Sequence, residues 1–161
     1  MAEPLSITAN ILAVAMTGFK LAQGLYQLAD GIGSAGKEVR VYADEIDALS
    51  KLLQLIRIHI ESAPAEFSYE RTLLRDILDA CGRILGQIGR IQISLTPLMD
   101  RFRSSESKMK ALSVRIQWIF CCKDKLLFYL AALRGQHRLL DTTLALMVLQ
   151  KPKDRSSENL K

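Results

Sequence analysis

Residues 4–29, PLSITANILAVAMTGFKLAQGLYQLA, carry a single charge, Lys20. Ile7, Ile11, Val14, Gly18, Leu21, Leu25, Leu28 and Ile32 recur at alternating spacings of four and three. A second stripe runs through Leu5, Leu12, Phe19, Ala22 and Tyr26. Two stripes make a helix apolar over most of its circumference, which points to the core of a bundle or to a membrane. Ala13-Val14-Ala15 imitates a signal-peptide cleavage site, but Glu3 stands where a basic n-region is expected. Asn10, Thr17, Lys20, Gln23 and Gln27 also dilute the segment below a permanent span. It reads as a core helix, with a conditionally inserting helix as the sharper alternative.

The same period organises the rest of the chain. A second helix, about Lys37 to Glu61, carries Val39, Tyr42, Ile46, Leu49, Leu53, Ile56 and Ile60, and ends at Ala63-Pro64-Ala65. A third opens near Ser68 and runs through Leu74, Ile77, Cys81, Ile84, Ile88, Ile91, Leu95, Leu98 and Phe102, across Pro97. A shorter segment holds Met109, Leu112, Ile116 and Ile119. The last helix begins near Lys123 with Leu126, Leu130, Leu133, His137, Leu140, Leu144 and Met147 on one seam. No stretch alternates as a half-buried strand does. The expected fold is all-α: an antiparallel four- to five-helix bundle around a central apolar N-terminal helix. It would occupy residues 1–150, with 151–161 a polar tail or linker.

The chain has 161 residues, 49% hydrophobic and 24% charged, which suits one folded domain rather than a disordered segment. Three cysteines, two of them adjacent, form no disulfide framework, so a reducing compartment is expected. Gly31-Ile32-Gly33-Ser34-Ala35-Gly36 matches G-x-G-x-x-G, but a helix precedes it where the dinucleotide fingerprint needs a strand. It reads as an interhelical turn. No nucleophile, base and orienting group converge, and no P-loop, G-x-S-x-G, H-E-x-x-H or E-x-x-H stands in the sequence. Neither enzyme activity nor a metal or other cofactor is expected. Asp44, Glu45, Asp47, Asp76 and Asp79 read as solvated helix faces.

The net charge of +5 hides an asymmetry, −4 over residues 1–80 and +9 over residues 81–161. Either the halves pair, or a basic surface meets an anionic partner. Arg101, Arg103, Lys108, Lys110, Arg115, Lys123 and Lys125 form the basic segment, a candidate for anionic membrane lipids. Nucleic acid is not expected, because no aromatic platform interleaves these charges. Beside them, Cys121 and Cys122 follow Trp118-Ile119-Phe120 and are candidates for acylation; the plainer reading buries Trp118, Phe120 and one thiol.

Met1-Ala2-Glu3-Pro4-Leu5-Ser6-Ile7, the helix ending Gly24-Leu25-Tyr26-Gln27-Leu28-Ala29-Asp30, and Trp118-x-Phe120 before a Leu-rich helix resemble the fungal N-terminal domain of STAND proteins. That group belongs to the HeLo-like helical domains that precede NACHT or ankyrin regions in fungal NOD-like receptors. The chain departs from it at Ile119, where a Pro often follows the Trp, and at Cys121-Cys122 in place of more polar residues. The resemblance implies a programmed cell-death module of innate immunity, activated by oligomerisation through a downstream NACHT or ankyrin-type sensor. It implies a cytoplasmic protein that moves to the plasma membrane on activation and permeabilises it with its N-terminal helix. On this sequence the inserting residues would be Leu5, Ile7, Ile11, Leu12, Val14, Phe19, Leu21 and Leu25. The competing expectation is a homotypic signalling module that works through helix faces and never enters a bilayer.

Overall fold

The structure, a computed structural model, describes residues 3–62, 68–103, 112–113 and 117–150. Among these only Ile32 and Gln150 lie outside a helix, so the fold is all-α. The described residues form four long helices: α1 (Glu3–Gly31), α2 (Gly36–Ser62), α3 (Ser68–Arg103) and α4 (Lys123–Leu149). A one-turn 3₁₀ segment, Gly33–Ala35, joins α1 to α2, and a π turn, Trp118–Cys122, leads into α4. Most of the expected short segment after α3, and the expected tail at 151–161, lie outside the described residues.

The glycine motif is the α1–α2 turn. Gly33 takes a positive φ of 62°, the left-handed conformation that glycine adopts without steric cost. Gly36 starts α2 so close to α1 that a Cβ there would overlap the Ala29 carbonyl oxygen. Small residues continue this close approach along the hairpin. Ala15, Gly18, Ala22 and Ala29 are buried on α1, with Ala43 and Ser50 buried on α2. Gly18 lies against Ser50, Tyr26 bonds to Asp44 and Asp30 to Arg40. Positions rise on α1 as they fall on α2, so the pair is antiparallel.

The other helices keep the alternation. Gly24, late in α1, lies against Gln92, late in α3. Glu38 then Glu45 on α2 pair with Lys123 then Arg134 on α4, so α2 and α4 run the same way. α1 packs on α2 and α3, and α4 on α3 and α2. The core between them is aliphatic, with Ile11, Ile46, Leu53, Ile56, Leu74, Ile88, Leu130 and Leu140 fully buried. Each such side chain contributes roughly 1.5–3 kcal/mol relative to an exposed one.

Pro97 does not end α3, which continues to Arg103. Proline frees the carbonyl four residues earlier. Here that residue is Ile93, on the wet side of α3 with 71% exposure. Ser94 and Thr96 add hydroxyl bonds back to the Ile91 and Gln92 carbonyls, at 2.7 and 3.1 Å.

Candidate functional site

The residues expected to enter a membrane face mostly inward. Ile7, Ile11, Val14, Leu21 and Leu25 are buried; Leu12 and Phe19 are half-buried. The side chain of Leu5 lies outside the described residues. The opposite face of α1 is wet and carries Ser6, Ala9, Ala13, Met16, Thr17, Lys20, Gln23 and Gln27. No helix among the described residues is long and apolar enough to cross a membrane.

Polar bonds to α2 gather at the C-terminal end of α1. The Tyr26 hydroxyl donates to the Asp44 carboxylate at 2.5 Å, and Arg40 donates to Asp30. The bond to Asp44, with burial and the nearby carboxylates, pushes the Tyr26 hydroxyl up to about 12. Beside it is a hollow of about 350 Å³ lined by Met16, Phe19, Lys20, Gln23, Tyr26 and Asp47.

The basic segment is described only at its end. Lys108, Lys110 and Arg115, and the side chains of Arg101 and Arg103, lie outside the described residues. Lys125 is exposed. Lys123 is tied to Glu38 at 2.9 Å, and the hydrogen bond to that carboxylate raises its pKa. Arg134 makes a forked pair with Glu45, with bonds of 2.8 and 2.6 Å. These α2–α4 pairs join the acidic half of the sequence to the basic half. The charge asymmetry left such pairing open beside a basic surface for an anionic partner, and did not say which residues would meet.

The cysteine pair divides. Cys121 is exposed, whereas Cys122 is buried. Burial, with a smaller push from Cys121, raises the Cys122 thiol pKa. Both cysteines lie in the π turn, which opens at Trp118, almost wholly buried and with the indole Nε1 unpartnered among the described residues. Cys81 is fully buried and its thiol is pushed up to about 12 by that burial.

His137 sits at the edge of the bundle rather than in its core. It is half-buried, with Nε2 3.7 Å from Asp141. It shares a shallow hollow of about 240 Å³ with Glu45, Ala48, Leu133, Arg134 and Arg138. Among the described residues no three His, Cys, Asp or Glu side chains form a metal-binding group. The acidic run on α2 is occupied instead, Asp44 by Tyr26, Glu45 by Arg134 and Asp47 by Lys51.

No known protein family, no curated protein and no solved structure matches this chain.

Proposed function

We propose that this chain is a membrane-targeting cell-death module of the HeLo-like kind, its bundle organised around α1 as the apolar N-terminal helix. On oligomerisation α1 leaves the bundle and permeabilises the membrane, while the basic segment from Arg101 to Lys125 holds anionic head groups. One observation carries this reading. The side chains that α1 buries against α2 and α3 are apolar from Ile7 to Ala29, and the one charge described between Ser6 and Ala29, Lys20, stays wet. Exchanging those neighbours for lipid leaves no buried charge behind. The polar face of α1 then turns to water or to other copies, as an amphipathic rather than a spanning helix requires. A HeLo-like module of this kind would be driven by a NACHT or ankyrin-type sensor.

The Glu38–Lys123 pair favours a second reading, because it occupies one cation of the basic segment within the fold. In that reading the bundle is a homotypic signalling module with no membrane activity. Dye release from anionic and neutral liposomes separates the two, with folding checked by circular dichroism. Release that needs anionic lipid and falls on reversing Lys108 and Lys110 supports the first. No binding and no release, even from protein clustered artificially, overturns it.

A further inference from the structure

Besides its buried seam, α4 carries a second one that faces water. Ala132, Gly135, Leu139, Thr142, Leu146 and Leu149 follow one another at spacings of three and four, and no charge interrupts them. Leu139, Leu146 and Leu149 are 47%, 43% and 80% exposed. Gly135 and Thr142 are exposed as well, and Ala132 is half-buried. Phe128, 70% exposed, extends the line by one step toward the start of α4. Spacing of this kind is the seam of a paired helix, and nothing among the described residues covers it.

We propose that this seam pairs with the same seam of a second copy, antiparallel, about a two-fold axis. Two of its three leucines, Leu146 and Leu149, lie in its later half, and two of its three small residues, Ala132 and Gly135, in the earlier half. A parallel pair would set Gly135 against Gly135 and Ala132 against Ala132, leaving voids. The antiparallel register that places Leu139 beside Thr142 of the other copy also places Gly135 beside Leu146 and Ala132 beside Leu149. Every layer then holds one leucine and one small residue, and the two-fold repeats each layer. The pairing concerns the folded bundle in water and does not rest on α1 entering a membrane.

Sedimentation of the full chain over a concentration series tests the pairing. A monomer–dimer equilibrium is expected, weakened at least about tenfold by Leu139→Lys with Leu146→Lys, the helix content unchanged. Should that variant misfold, Gly135→Lys, at an exposed position with open space for a side chain, sets a charge beside Leu146 of the other copy and weakens the dimer. Cys121 reports orientation. Spin labels there would stand about 55–60 Å apart in the antiparallel register, from 1.5 Å per residue, and far closer in a parallel one. A chain that stays monomeric at its solubility limit overturns the proposal and leaves the seam to another occupant. A dimer indifferent to these substitutions, or one with close labels, overturns it too.

Discussion

Gly36 opens α2 directly against the carbonyl oxygen of Ala29, so the two helices are joined where α2 has no room for a side chain. The contact is to backbone, which cannot rotate away. Gly36→Ala should therefore cost about 1–3 kcal/mol, read as a lower urea midpoint at unchanged m-value. Gly82→Ala and Gly86→Ala make the contrast, because nothing lies within 4 Å of a Cβ at either position. Each should add roughly 0.5–1 kcal/mol through helix propensity alone.

The Tyr26–Asp44 bond should appear in the alkaline limb of stability. The hydroxyl is raised from 10.0 to about 12, so the folded state holds its proton longer than the unfolded chain does. That contribution is complete below pH 10 and is lost as pH rises through 12. Absorbance titration of the phenolates should show a late step near pH 12 that Tyr26→Phe removes. A step that survives this substitution would assign it to another of the four tyrosines.

Thiol chemistry should distinguish neighbours. In the native protein an alkylating reagent should modify Cys121 and leave Cys81 and Cys122, both buried, until the fold opens. Mass spectrometry of the intact protein should show one adduct, moving to three in denaturant. Rapid modification of Cys122 would mean that the π turn does not hold it inward.

Helix positions were legible because burial repeats at a fixed period, and the four long helices fall within two residues of their expected ends. Faces were harder to rank where a helix is apolar all round. On α4, His137 shares its period with Leu133 and Leu140, yet it lies toward the edge while they are buried. The fate of α3 at Pro97 depended on whether the freed Ile93 carbonyl would lie on the wet side, which is a fact of packing. Cys122 stands four residues before the buried Leu126, so the α4 seam carried back one turn separates it from the exposed Cys121. The partners of Glu38 and Glu45 are 85 and 89 residues away along the chain, beyond any local pattern.

The proximity of Gly18 and Ser50 allows α1 to be locked in place. A Cβ built on Gly18 lies 3.5 Å from the Ser50 Cβ, within the range a disulfide spans. Gly18→Cys with Ser50→Cys, in a chain with Cys121→Ser, should therefore oxidise to a bridge between α1 and α2. By loop-closure entropy that bridge should raise stability by about 3–4 kcal/mol, less the cost of losing the buried Ser50 bond to the Ile46 carbonyl. The reduced form keeps both new thiols and lacks only the tether, so it is the proper control for packing. If α1 must leave α2 to act on lipid, the oxidised protein should bind anionic liposomes without releasing dye, and reduction should restore release. Equal release from both forms would mean that α1 stays packed on α2 while the membrane is disturbed, and the inserting element would then have to be sought elsewhere in the bundle.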